Sequence, residues 1–335
     1  MNKPVIAVAD GAFADRAGIE RDFGDRAELR WADLSGPDAV RQSTSGADAL
    51  VVTLQRLPAD VIMAFAPSVR AIGRAGVGLD TIDLRAAAGR GIAVFNQPAY
   101  GAPEVASHAL ALLLAVQRRL LTADAHVRAG WRGGADLGRI GALDDSTVGV
   151  LGAGRIGRAF IDRVRPLVRD VVVYDPQPVD LPPFAIRAAD LGDLLERSES
   201  ISLHLPLTPE TRGLIGRREL LLLPPGAIVV NVSRGGIVDE DALAELLRSG
   251  HLGGAGLDVF DHEPLPADSP LLAAPNTVLT PHCASASERS AHRLSHWTIG
   301  DALEYLESGS VTHGAMVVDA GNDASTPEKA ARGRG

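Results

Sequence analysis

Ten short apolar runs recur along the chain with helix-patterned stretches between them: Val5–Ala9, Ala49–Thr53, Val69–Gly73, Ile92–Phe95, Thr147–Leu151, Val171–Tyr174, Ile201–Leu203, Ala227–Asn231, Ala255–Leu257 and Thr277–Leu279. Repeated alternation of this kind builds stacked βα units. Strands that are apolar throughout, rather than on alternate residues, are those covered by helices on both faces of a parallel sheet. The fold class is therefore α/β. A chain of 335 residues has the length for about two such domains. The segment from Gly101 to about Arg132 reads as one long helix and its extension. It separates a first sheet of about five strands within residues 5–95 from a second of about six within 147–280. A last helix over Ser285–Glu307 must return to one of the two sheets. Residues 321–335, polar and punctuated by Gly and Pro, are expected to be disordered.

Lys and Arg number 33 against 42 Asp and Glu, a net charge of −9, and the basic residues form no run or stripe. That excludes the electrostatic footprint of a nucleic-acid binder and points to a small-molecule partner. The apolar stretch after Met1-Asn2-Lys3-Pro4 is too short for a signal peptide. The longest apolar run, Ala109–Val116, is bracketed by His108 and by Gln117-Arg118-Arg119, far short of the roughly 20 residues that span a bilayer. No membrane association is expected. The single cysteine, Cys283, makes no internal disulfide, and a cytoplasmic location is expected. His108, His204 and His262 lack metal-ligand spacing, so no metal is expected. Cys283 reads as buried packing, facing away from its neighbour His282, and Trp31, Trp131 and Trp297 as core or interface anchors.

Gly152-Ala153-Gly154-Arg155-Ile156-Gly157 fits a dinucleotide fingerprint, a weak signal alone that its setting strengthens. The strand Thr147–Leu151 precedes it, a helix over Arg155–Val168 follows, and the strand Val171–Tyr174 ends in Asp175. In such a βαβ unit Gly152 permits the tight turn, Gly154 lets backbone approach a pyrophosphate, and Gly157 packs helix on strand, with the helix N-terminus offering N–H groups. Asp175, 18 residues after Gly157, would accept from ribose hydroxyls and repel a 2′-phosphate, which favours NAD over NADP. No arginine follows in Pro176-Gln177-Pro178-Val179-Asp180. The alternative role for Asp175 is to cap the turn before Pro176.

Three later strands share one layout, each ending in a polar cluster: Asn231-Val232-Ser233-Arg234, Asp258-Val259-Phe260-Asp261-His262-Glu263, and Thr280-Pro281-His282. Parallel strands bring their C-termini to one edge, where ligands bind. Arg234, Glu263 and His282 are therefore catalytic candidates. Arginine fixes a carboxylate with two charge-assisted bonds, histidine moves a proton near neutral pH, and a carboxylate orients the imidazole.

Gly73-Arg-Ala-Gly-Val-Gly-Leu-Asp80, Gly152–Gly157, Leu203-His-Leu-Pro-Leu-Thr208, Asn231-Val-Ser-Arg-Gly-Gly236, Asp258-Val-Phe-Asp-His-Glu-Pro264 and Thr280-Pro-His282 together resemble, in order and spacing, the D-isomer-specific 2-hydroxyacid dehydrogenase family over residues 45–310. The resemblance implies two Rossmann-like or flavodoxin-like domains with the active site in the cleft between them. One is a discontinuous substrate domain, residues 1–100 plus 287–320; the other is an NAD-binding domain, 101–286, that also forms a homodimer. It implies that Arg234 holds the substrate carboxylate and C2 oxygen, that His282 is the acid/base, and that Glu263 is its partner. The backbone at Val77 and Gly78 would hold the carboxylate from the other side, with hinges near 96–103 and 284–290 closing the cleft. Arg155, Ile156, Asp175, Leu205, Val232, Ser233, Asp258 and Ser285 would line the NAD site. The implied reaction moves a hydride between nicotinamide and C2 of a D-2-hydroxy or 2-keto acid. The alternative is an NAD(H)-sensing binding protein like the corepressors of the same superfamily. Val51-Val52-Thr53-Leu54 stands where phosphoglycerate dehydrogenases typically carry an Arg-Ser loop, and Ser107 where many members have an acid. Glu263 stands where formate dehydrogenases have glutamine.

Overall fold

The computed structural model describes residues 3–177 and 179–319, so the expectation of disorder over 321–335 lies outside the described residues. The chain divides into two compact units, Met1–Gly101 with Ser287–Gly335, and Ala102–Ala286. The first begins with β1 (Val5–Ala9), α1 (Arg16–Phe23), β2 (Glu28–Ala32), α2 (Pro37–Ser43), β3 (Ala49–Val52), α3 (Ala59–Ala64), β4 (Ala71–Arg74), α4 (Leu84–Gly89) and β5 (Ala93–Asn96). The second contains α5 (Ala102–Gln117), α6 (Leu120–Arg128), β6 (Thr147–Leu151), α7 (Arg155–Val164), β7 (Asp170–Tyr174), β8 (Ile186–Arg187), α8 (Leu191–Glu196), β9 (Ser200–Leu203), α9 (Arg217–Leu222), β10 (Ala227–Asn231), α10 (Glu240–Arg248), β11 (Leu252–Leu257) and β12 (Thr277–Leu279). The chain then returns to the first unit with α11 (Glu288–Ser308) and β13 (Ala315–Val318).

The first sheet has the order β13-β5-β4-β3-β1-β2. Its first five strands in sequence are parallel neighbours in a flavodoxin-like order. The sixth, β13, pairs antiparallel with β5 at the edge of this otherwise parallel sheet. Helix α11 is capped by Ser287, whose side chain accepts from Ser290 N, and packs Ile299, Ala302 and Leu303, all fully buried, into this unit's core. The second sheet, β12-β11-β10-β9-β6-β7-β8, is parallel throughout and has seven strands where about six were expected. Strand order reverses at β6, leaving β7 on one side and β9 on the other. That reversal point, beyond the strand C-termini, is where open α/β sheets hold ligands.

Two helix expectations are corrected. The stretch 101–132 is two helices, because Arg119 adopts a left-handed conformation with φ 50° between α5 and α6. The helix expected to Val168 ends at Val164, and a single 3₁₀ turn, Arg165–Leu167, follows. Pro166 supplies no backbone N–H there, and its ring clashes with the preceding turn. Helix α6 buries none of its residues, and Leu120, Leu121, Val127 and nearby Trp131 are exposed. Among the described residues no helix is long and apolar enough to cross a membrane.

Candidate active site

At the reversal point the chain leaves β6 through the glycine turn. Gly152 has φ 96°, and a Cβ there would lie 2.8 Å from the carbonyl oxygen of His204, which follows β9. A Cβ at Gly157 would lie 2.0 Å from Gly152 O, so helix α7 sits directly on the turn. Gly154 differs, because among the described residues nothing lies within 4 Å of a Cβ built on it. It is also the N-cap of α7 and makes no side-chain cap. Open backbone beside an uncapped first helical turn fits a dinucleotide pyrophosphate, which needs close approach and N–H donors. Arg155 and Ile156 occupy that first turn. Leu205, with its Cδ2 against Gly152, is buried at the same place.

Asp175 serves this turn from the end of β7. Its Oδ2 accepts from Ala153 N at 2.7 Å, and its Oδ1 accepts from Gln177 N at 2.8 Å. The turn-capping role is thus present, and the same carboxylate also ties down the glycine turn. Each oxygen keeps a second lone pair for a further donor. Beneath the turn, His204 packs on Phe160 with ring centroids 5.1 Å apart, and its Nε2 lies 2.9 Å from Ser202 Oγ. Its Nδ1 is buried with no hydrogen-bond partner among the described residues. Burial pushes the imidazole down to about 3, so His204 is neutral at physiological pH and carries no proton chemistry there.

Beyond β10, the Asn231 side chain folds the Arg234 turn by accepting from Ser233 N at 3.0 Å and donating to Arg234 O at 2.9 Å. Ser233 turns its hydroxyl inward to Leu203 O. Val232 is buried, and Arg234 is half-buried with Nη1 donating to Ser233 O at 2.7 Å. The next residue, Gly235, meets the segment after β11 so closely that a Cβ would lie 1.9 Å from the Phe260 carbonyl. That segment carries Glu263, whose Oε1 accepts from Phe260 N at 3.0 Å and whose Oε2 lies 2.7 Å from Nδ1 of His282. Both side chains remain about a third exposed, 30% for His282 and 34% for Glu263, which leaves the pair open to a ligand. Burial works to raise the Glu263 carboxyl. The His282 hydrogen bond, the Phe260 N–H and the charges of His282 and Arg234 outweigh it and hold the group below its ordinary value. Glu263 is therefore ionised at neutral pH, and Arg234, Glu263 and His282 form one electrostatic group within a single unit.

The other expected site residues fall in different places. Asp258 is almost wholly buried, and both its oxygens accept from the 280–284 loop. Ser285 lies in the turn before α11. Val77 and Gly78 follow β4 in the other unit, where Val77 O accepts from Asn96 Nδ2 at 2.6 Å. Cys283 lies past the end of β12, so strand alternation does not govern it. Burial and the Asp258 charge raise its thiol above the usual range. Asn231, Gly235, Thr280 and His108 carry much of the local geometry, and of these only the Asn231 type, a side chain that bonds its own turn, leaves a sequence signal.

Residues 110–284 match the family profile described as D-isomer specific 2-hydroxyacid dehydrogenase, NAD binding domain. The chain belongs to the D-isomer-specific 2-hydroxyacid dehydrogenase family. It is 39% identical to a D-3-phosphoglycerate dehydrogenase of Mycobacterium leprae over 96% of this chain, yet it spans only 60% of that relative's length. It is 40% identical to a glyoxylate/hydroxypyruvate reductase B of Pectobacterium carotovorum over 73% of this chain and 78% of the relative. The crystal structure of an NADPH-dependent glyoxylate/hydroxypyruvate reductase of Sinorhizobium meliloti, in complex with NADP and malonate, superposes with a TM-score of 0.84 at 30% identity. The match covers 94% of this chain and 97% of that one. The family thus includes enzymes of either nicotinamide cofactor, and the choice in this chain falls to its own residues.

Proposed function

We propose that the chain is an NAD-dependent oxidoreductase acting between a D-2-hydroxy acid and the corresponding 2-oxo acid. The observation that carries this reading is the 2.7 Å contact of His282 Nδ1 with an ionised Glu263 that also feels the Arg234 charge. With Nδ1 engaged, Nε2 of His282 is the nitrogen left to give a proton to the C2 oxygen in reduction, or to take it in oxidation. Arg234 holds the substrate carboxylate and C2 oxygen in two charge-assisted bonds. Gly152, Gly154, Arg155, Ile156 and Gly157 hold the dinucleotide pyrophosphate and Asp175 the ribose. When bound, the nicotinamide supplies or accepts the hydride at C2.

Two residues support the finer specificity. The Asp175 carboxylate favours free ribose hydroxyls over a 2′-phosphate, which would set like charges side by side. Leu54, in the Val51–Leu54 stretch where the resemblance places the Arg-Ser loop of phosphoglycerate dehydrogenases, brings no cation for a phosphate and favours an unphosphorylated substrate. Oxidation of NADH and NADPH is measured across glyoxylate, pyruvate, hydroxypyruvate, aromatic 2-oxo acids and a phosphorylated three-carbon 2-oxo acid. Turnover of an unphosphorylated acid is expected, with NADH preferred by at least about 10-fold in kcat/KM. A flat panel would move the reading to nucleotide sensing, and equal rates with both cofactors would refute the role of Asp175.

The exposed apolar side chains Leu120, Leu121 and Val127 of α6, with nearby Trp131, support a homodimer through this unit, since covering such side chains favours association. Light scattering is expected to give twice the chain mass, with Leu121→Asp shifting it toward one; a single-chain mass for the unaltered protein would end that reading.

A further inference from the structure

His282 adopts a left-handed backbone conformation with φ 51°, which a residue bearing a Cβ holds only when its surroundings enforce it. The surroundings here converge on one carboxylate. Asp258, 1% exposed at the end of β11, accepts the Thr280 hydroxyl at 2.6 Å and Cys283 N at 2.9 Å on Oδ1, and Ala284 N at 2.8 Å on Oδ2. Its backbone carbonyl accepts His282 N at 2.8 Å. The chain is thus pinned before His282, at it and after it. The Thr280 hydroxyl has one proton, which goes to Asp258, so its oxygen accepts from Nε2 of His108 on α5, 3.0 Å away.

We propose that Thr280 and His108 are positioning residues that act through Asp258 to hold His282 in the conformation in which its Nδ1 meets Glu263. This rests on the reading of His282 as the acid/base. Neither residue faces the Glu263 side of His282 in the hydrogen-bond pattern, so each works through the loop. The resemblance places Asp258 beside the cofactor, whereas its two oxygens are committed to the loop. His108, Asp258 and Cys283 also lie close enough together to ligate a metal. Oδ1, however, already takes two donors, and Nε2 of His108 is engaged by Thr280. The grouping is a protein-to-protein network.

The test compares Thr280→Val, Thr280→Ser and His282→Ala in the full chain, reading kcat and KM with the best 2-oxo acid of the panel and the NADH dissociation constant by nucleotide fluorescence. Thr280→Val is expected to lose kcat by about 10- to 100-fold, as small misplacements of a reacting group do, with NADH affinity kept within about twofold. Thr280→Ser, which restores the hydroxyl, should return to within about threefold of the original rate. If Thr280→Val fails to fold, His108→Gln at the far end of the network carries the same expectation of lower kcat at unchanged NADH affinity. Unchanged kcat in Thr280→Val, no rescue by serine, or NADH affinity falling in step with kcat overturns the proposal. The underlying reading fails separately, through a His282→Ala variant that still turns over.

Discussion

His282→Ala is expected to fold, to bind NADH, and to lose turnover by about 10²–10⁴-fold, the usual contribution of a positioned acid/base. The fold survives because the imidazole is 30% exposed and its partner Glu263 can return to water, so no buried charge is stranded. Nucleotide binding survives because the glycine turn lies on α7 and β6, held by Asp175 and His204 rather than by His282. Steady-state rates and a fluorescence titration of NADH check both halves, and wild-type turnover in the variant removes His282 from the chemistry. Glu263→Gln separates orientation from charge, since an amide oxygen still accepts from Nδ1 but stabilises an imidazolium less. Its loss should fall between wild type and His282→Ala. The Glu263 carboxyl is held below its ordinary value in the fold, so its stabilising contribution is full above the unfolded-chain value near 4.5 and is lost as pH falls through the folded value. The difference in Tm between wild type and Glu263→Gln should therefore be larger at pH 7 than at pH 3.

Strands in the middle of each sheet were legible because helices cover both their faces, which forces near-continuous apolar runs such as Val148, Val150 and Leu151 in β6. The strands outside the ten apolar runs, β2, β8 and β13, lie at sheet edges, where that demand lapses. β2 interleaves Glu28 and Arg30, paired with each other at 2.7 Å, and β8 is two residues long. β13 joins the first sheet antiparallel, only after α11 has crossed it, and nothing in four residues announces a direction. The Arg119 break was hidden because its cause is a single left-handed residue that is neither glycine nor asparagine. In the site, Arg234, Glu263 and His282 were legible by chemical type at strand ends. Asp258 was legible as a site residue but not as the anchor of a loop, because its partners Thr280, Cys283 and Ala284 are ordinary residues more than twenty positions away, and His108 meets Thr280 across 172 positions. Such pairing depends on the sheet being built first.

Gly235→Ala is expected to damage activity by about 10²-fold or more although it adds one methyl group and touches no reacting atom. A Cβ there would stand 1.9 Å from the carbonyl carbon and oxygen of Phe260 and 2.4 Å from Asp261 N, where ordinary contact begins near 3.4 Å. These are backbone atoms, so no side-chain rotation relieves the overlap, and the two segments must separate by more than about 1 Å, a shift that costs about 10² in a positioned site. One segment carries Arg234, directly before the glycine. The other carries Glu263, tied to Phe260 N at 3.0 Å and to His282 at 2.7 Å. A single methyl therefore pushes apart the group assigned to the substrate carboxylate and the pair assigned to the proton. NADH affinity should change little, because Gly152, Gly154 and Gly157 are untouched. The expected signature is a fall in kcat with a rise in KM for the 2-oxo acid, at an NADH dissociation constant near that of the wild type. Retained kcat/KM would mean that the Arg234 and Glu263 segments adjust independently, and that their close approach is packing without consequence for the reaction.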